Sequence, residues 1–260
     1  MKQSINQEGG IIKIILIIVA VCFTLLVIGI AFLFGFGVKE WNKLSVGETV
    51  TETRDVSDFS NIQLNGFGNL IIEQGSQEAL EIETGNNLMK YIKTEVKGDT
   101  LVIEYKKAWL VGLMMLKNHD ETNFNLSVKD LDNISLSGSG DIVTEDFETT
   151  DLSIDISGSG DVDMNIQAKQ LDSNVSGSGE FDLTGEVVNQ SITISGSGKY
   201  RAFDLASQVA EVEISGSGEI ELDVDDALDV SISGTGDVKY TGNPSITQSI
   251  TGSGDISQVK

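Results

Sequence analysis

Apolar and polar residues alternate along most of the chain beyond residue 60, and the phase holds over long stretches. Ile154, Ile156, Gly158, Gly160, Val162 and Met164 share one parity; Asp155, Ser157, Ser159, Asp161 and Asp163 share the other. The same split recurs from Val175 to Leu183 and from Val212 to Leu222. Strict alternation marks a strand with one buried face. It runs straight through the string Ser-Gly-Ser-Gly, which a flexible linker has no reason to do. The glycines are therefore expected on the inward parity, where the chain bends or the interior narrows, with serines and acids pointing out.

The string is also periodic. SGSG begins at Ser137, Ser157, Ser176, Ser195 and Ser215, and the variants SGTG and TGSG begin at Ser233 and Thr251. The spacing is 18–20 residues. A relative with the same parity, Ile62, Leu64, Gly66, Gly68, Leu70 and Ile72, lies far upstream. About two short strands per period fit one coil of a solenoid, whereas propeller blades need about 40–50 residues. The expected fold is all-β: a parallel β-helix or β-solenoid with coils of 18–20 residues, preceded by one transmembrane α-helix. Seven coils spaced about 4.8 Å apart make a rod of roughly 34 Å, right-handed by the usual crossover rule. Turns are expected near 148–150, 167–169, 186–190, 206–208, 225–226 and 242–244.

Residues 56–118 lack SGSG but carry strand patterns at Asn61–Glu73, Leu80–Thr84, Ile92–Val96 and Thr100–Tyr105. Lys97-Gly98-Asp99-Thr100 reads as a hairpin turn, and Asn86–Tyr91 as a short helical turn. This region is expected to continue into the solenoid and to cover its first edge, since an open edge templates aggregation. Ala108–Leu116, AWLVGLMML, is apolar all round. It either folds over the core end or leaves Trp109, Leu110, Met114 and Met115 as an exposed patch for a partner or a membrane.

Ile14 to Val38 is a run of 25 residues without a charge. A bilayer needs about 20. A cleavable signal has a shorter apolar run and a small-x-small site, which this run lacks. Val19–Cys22 is only loosely lipobox-like, because Val21 is bulky. The organisation expected is a tail at 1–13, a single-pass helix at 14–38, a juxtamembrane linker at 39–55, an N-terminal β region at 56–118 and the SGSG solenoid at 119–260. The positive-inside comparison is nearly balanced. An extracytoplasmic C-terminal domain at the cell membrane is expected because long domains translocate largely regardless of charge.

Charge narrows the partners. The chain carries 17 basic and 40 acidic residues, for a net −23. Residues 1–43 hold four lysines and two acids, so they are +2 and the remainder is −25. Such a surface repels phosphate backbones, which excludes nucleic acid. The residue after each SGSG forms a column: Asp141, Asp161, Glu180, Lys199, Glu219, Asp237 and Asp255. The six acids are candidate calcium ligands; the plain alternative is a solvated acidic face. Serine columns from Ser137 and Ser139 to Ser249 and Ser253 offer a flat hydroxyl face for a glycan or protein. The one cysteine, Cys22, permits no internal disulfide. His119, the one histidine, reads as a surface residue, and no nucleophile, metal or acid-base constellation stands out. The reading is therefore not an enzyme and no cofactor beyond possible calcium.

The SGSGD repeats, the closing VKYTGNPSITQSITGSGDI (Val238–Ile256), VSDFSNIQLNGFGNLIIEQG (Val56–Gly75) and LMKYIKTEVKGDTLVIEY (Leu88–Tyr105) resemble the auto-transporter adhesin head family known as the GIN domain. The resemblance covers about Val56 to Ile256. It implies a β-helix-like fold, an envelope or surface location and a binding role, and it carries over no catalytic residue. One departure is clear: no membrane barrel follows, so display would rest on the N-terminal anchor.

Overall fold

A computed structural model describes residues 45–117 and 121–259. The expected anchor Ile14–Val38, the tail before it and His119 lie outside the described residues. Among the described residues no helix is long and apolar enough to cross a membrane. Val46–Lys260 forms one compact unit.

The N-terminal part contains β1 (Thr49–Arg54), β2 (Asn61–Phe67), β3 (Asn69–Gln74), β4 (Ala79–Gly85), α1 (Asn86–Met89), β5 (Ile92–Lys97), β6 (Thr100–Tyr105), α2 (Ala108–Lys117) and β7 (Asn123–Val128). The repeat region contains β8 (Asn133–Glu148), β9 (Asp151–Gly177), β10 (Glu180–Gly196), β11 (Lys199–Gly216), β12 (Glu219–Gly234), β13 (Asp237–Thr241), β14 (Ser245–Gly252) and β15 (Asp255–Gln258).

From β8 onward every pairing is parallel and joins one coil to the next. Asp141 stands opposite Asp161, which stands opposite Glu180, then Lys199, Glu219, Asp237 and Asp255. The SGSG spacing in the sequence is thus the structural register. The seven copies bound about six complete turns, one fewer than a count of copies suggests, because the last copy opens an unfinished rung. The upstream relative belongs to the same stack: Gly66 of β2 pairs with Gly138 of β8.

Each rung bends at SGSG without losing its ladder. The Ser178, Ser197 and Ser217 N–H groups donate to the Gly158, Gly177 and Gly196 carbonyls at 2.8–2.9 Å. The two glycines do different jobs. The first adopts φ near +143° (Gly158 +142°, Gly177 +144°), where side chains are strained, and a Cβ there would overlap the carbonyl of the stacked glycine one rung earlier. It is a pivot for close backbone contact and does not face the interior as expected. The second does: a Cβ on Gly198 would meet Val175 and Ile194 side chains at 3.1–3.2 Å.

The interior is a stack of apolar columns. Ile156, Val175, Ile194, Ile214 and Ile232 fill one column; Val162, Phe181, Tyr200, Ile220 and Val238 fill another. A single rung cannot bury its apolar face, so stability comes from stacking. The interior also holds a polar chain. The Tyr200 hydroxyl donates to Gln190 Oε1 at 3.0 Å, Gln190 Nε2 donates to Ser207 Oγ at 2.8 Å, and Ser207 Oγ donates to the Asp223 carbonyl at 2.7 Å.

The first edge is covered on both sides of its corner. β2 takes β6 in parallel, which takes β5 antiparallel; β3 takes β7, which takes β4 and then β1. The β5–β6 hairpin turns at Gly98, φ +66°, as the sequence suggests. The stretch expected as a linker at 39–55 contains β1, which is part of the sheet, and Val46, which is buried. Ala108–Leu116 is a helix rather than a loop: α2 buries Val111 and Met114 and exposes Trp109 and Leu116.

Candidate functional site

The rung dictates what the surface can offer. With inward positions filled by packing, chemistry is confined to outward columns, each repeating one position of the coil about every 4.8 Å. Two outward faces meet at the SGSG corner.

The face before the corner carries hydroxyls and amides. The Ser137 and Ser139 columns are exposed in rung after rung, ending at Thr251 and Ser253. Hydroxyls on adjacent rungs are within reach of each other, as at Ser217 and Thr235, 2.8 Å apart. Further back, Asn133 Nδ2 and Asn174 Nδ2 donate from the rungs on either side to the two oxygens of Asp155, at 2.8 and 2.9 Å. Asp155, Asn174, Thr193, Ser176 and Ser195 line a shallow open groove of about 260 Å³.

The face after the corner is charged. The expected column of Asp141, Asp161, Glu180, Glu219, Asp237 and Asp255 is in register, and Lys199 interrupts it as anticipated. The next outward column adds Asp163, Asp182, Arg201, Glu221 and Lys239. Cations there consume several acids. Arg201 pairs with Glu180 and with Asp182 at 3.3 Å. Lys239 bridges Glu219 at 2.7 Å and Glu221 at 3.1 Å. The Lys239 hydrogen bond holds the Glu219 carboxyl below its usual range. Two acids on this face shift the other way, Asp182 in spite of its pairing with Arg201. Partial burial, and then the Asp161 carboxylate one rung on, push Asp141 up; burial, then Asp163 and Asp161, do the same to Asp182. A straight column spaces its carboxylates along a line instead of wrapping them round a point, and a cation needs several oxygens at about 2.3–2.6 Å. Among the described residues no group of three or more acids, histidines or cysteines is gathered as a metal cage.

A larger open groove of about 700 Å³ runs along the far side of the coils, lined by Gln74, Glu148, Thr149, Gln167, Lys169 and Glu186 among others. Gln74 ties its wall together: its amide donates to the Glu148 carbonyl at 2.8 Å and accepts from the Glu148 N–H at 2.9 Å. The sequence marked these stretches as turns and gave no hint that they form a groove.

The apolar patch is redistributed by α2. Trp109 is 56% exposed; Leu110 and Met115 are half-buried; Met114 points inward at 4%. Leu116, outside the expected set, is the most exposed at 78%.

Parallel rungs, a glycine corner and long polar columns define a β-solenoid whose described residues offer broad, open faces. The chain belongs to the family described as "Putative auto-transporter adhesin, head GIN domain", whose model matches residues 58–244. Solved structures share the fold. One titled a putative adhesin, from Bacteroides fragilis, aligns with TM-score 0.74 at 24% identity over 82% of this chain and 97% of that one. A "putative lipid binding protein" from Parabacteroides distasonis aligns with TM-score 0.62 at 28% identity over 82% and 98%. A putative adhesin from Parabacteroides merdae gives 0.59 at 19% over 83% and 98%. No curated protein matches the chain in sequence.

Proposed function

We propose that the protein is a single-pass membrane protein whose C-terminal β-solenoid stands outside the cytoplasm and works by binding, as an adhesin-like module, rather than by catalysis. The observation that carries this reading is the unbroken hydroxyl and amide face before the SGSG corner. Its spacing is fixed by the ladder, so it is pre-organised and loses little entropy on meeting a repetitive partner. Family membership supports the same reading, and the 25-residue uncharged run Ile14–Val38 supports the anchor.

A second reading makes the module a glycan or calcium binder. The Asn133–Asp155–Asn174 bridge favours the glycan form, because alternating amides and a carboxylate match the donors and acceptors of a sugar edge. Calcium at the acidic column would stabilise the fold by mass action.

The test uses the full chain displayed on cells. The domain is expected to be cleaved from intact cells by added protease and the anchor to stay with membranes after alkaline extraction. Binding to other cells or to a glycan panel is expected to saturate and to fall at least tenfold in Asp155→Ala. A domain protected from protease, or binding indifferent to Asp155→Ala, overturns the assignment. Melting with millimolar calcium separates the calcium form: a rise of several degrees supports it and no shift removes it.

A further inference from the structure

The two ends of the solenoid are finished differently. The first edge is covered by β6, β5, β7, β4 and β1, whereas β14 pairs only with β12 and β15 only with β13. Among the described residues nothing pairs with the outer edge of β14. Its inward positions continue the core columns: Ile246 stands over Leu228 and Ile250 over Ile232. Leu228 and Ile232 are 1% exposed, Ile246 and Ile250 41% and 38%. The greasy interior therefore ends at the surface, beside a row of unpaired N–H and C=O groups. Such edges are usually blunted with charges or an inserted proline. The stretch from Ser245 to Gly254 has neither, in a chain of net −23.

The edge is also symmetric in chemistry. Ser245-Ile246-Thr247-Gln248-Ser249-Ile250-Thr251 reads the same from both ends, class by class. A two-fold axis through Gln248 pairs each residue with its like: isoleucine with isoleucine, hydroxyl with hydroxyl, Gln248 with itself. A closed two-fold contact requires this self-complementarity. A head-to-tail contact would have to use β5 or β1, the outermost strands at the other end, and both carry charges (Lys93, Glu95 and Lys97; Glu52 and Arg54) that blunt an edge. Pro244, with no N–H, marks where the new ladder stops.

We propose that the β14 edge is a homophilic docking face, on which β14 of a second copy pairs antiparallel about Gln248 and closes the two open interiors against each other. The occupant is a second copy of this chain. Seven residues of ladder make a small interface, so single pairs are weak, in the micromolar range, and many pairs on two surfaces act together. β1, where the chain enters the domain, and the open edge lie at opposite ends of the strand order. Where the N-terminal anchor holds the protein on a membrane, pairing between copies on two membranes joins the surfaces. This last step rests on the anchored reading; the pairing itself does not.

The experiment uses the full chain in detergent, in a Cys22→Ser background. Gln248→Cys is expected to form a disulfide-linked dimer on mild oxidation, since facing residues of an antiparallel pair lie within disulfide reach. Ser231→Cys, on the outward face one rung inside, is expected to stay monomeric. By sedimentation at tens of micromolar, Ile250→Lys is expected to weaken the dimer at least tenfold with unchanged circular dichroism. Added salt is expected to strengthen it, by screening repulsion between two acidic chains. A wild-type monomer, equal cross-linking at 248 and 231, or a dimer untouched by Ile250→Lys overturns the proposal. Clustering of vesicles carrying the full chain reads the facing-surface step separately: clustering lost in Ile250→Lys supports it, and dimers in detergent without clustering overturn that step alone.

Discussion

Each rung turns a corner at SGSG and must turn again on the far side to close, and the two bends are built on opposite rules. At SGSG nothing varies: the ladder stays in step from β8 to β14 and the glycines stack one on another. On the far side the register slips between Thr144 and Phe147, between Asp182 and Thr184, and again from Ala202 to Val209. The change of coil length from 18 to 20 residues is absorbed there. One corner sets the spacing of the stack and the other forgives it. A repeat protein can thus drift in length while its displayed columns stay aligned, provided the drift avoids the corner that carries the alignment.

The sharpest way to break this contrast is a methyl group at the pivot. In Gly158→Ala the Cβ would overlap the Gly138 carbonyl oxygen, and φ of +142° is unfavourable for alanine. Overpacking costs about 1–3 kcal/mol and backbone strain a similar amount, so the expected loss is about 4 kcal/mol, read by chemical denaturation. The same change at Gly218 meets only Ile194 and Ile214 methyls at 3.2–3.3 Å; these side chains give way, and about 1 kcal/mol is expected. Equal losses at the two sites would show that crowding of the interior, not backbone approach, governs the corner.

On the far side the comparison is sharpened by deletion. Between Ala202 and Ala206 three residues of β11 have no partner in β12. Removing Phe203 and Asp204 together shortens the coil to the length of its successor and preserves the in-out parity. A cost of about 1–2 kcal/mol is expected, within the range of an ordinary mutation. Removing Ser157 and Gly158 also keeps parity, yet it takes out the pivot and is expected to prevent cooperative unfolding altogether. If the two deletions cost the same, the far side is not the forgiving one.

The forgiving corner is also where the sequence was hardest to read. Parity and spacing around SGSG determine the register outright, because a one-residue slip would expose every apolar side chain. Beyond the far turn that lever is gone. Ser207 is buried while Val209 is 39% exposed, and Val187 is buried while Val188 is 39% exposed. Gln190 and Ser207 sat in stretches that read as turns, and only the neighbouring rungs reveal that Gln190 accepts from Tyr200 and donates to Ser207 inside the core. The α2 helix escaped for a different reason: AWLVGLMML has no period, because one side meets the core and the other side is apolar too. Of the site, the charged column was legible, since stacking follows from the period. The cations that relieve it were not, because Arg201 and Lys239 stand one column over.

The smallest effect tests whether the charged face differs along its length. Asp141 and Asp182 have folded pKa values raised by burial and neighbouring carboxylates. For a raised acid the folded state takes up its proton first, so stability rises as pH falls from neutrality through the raised value. Glu219 is held low by Lys239; its contribution is present above the unfolded carboxylate pKa and is lost as pH falls below it. The melting temperature is therefore expected to climb slightly as pH falls from neutrality into the ordinary carboxylate range, and to drop at still lower pH as the contribution of Glu219 is lost. All three groups are mostly exposed, so solvent screening keeps both limbs shallow. Asp141→Asn should flatten the climb and leave the fall, and Glu219→Gln should do the reverse. A profile in which either variant changes both limbs would mean that the rungs share their charge along the whole column, so that the repulsion at Asp141 and the relief at Glu219 could not be assigned to separate ends of the face.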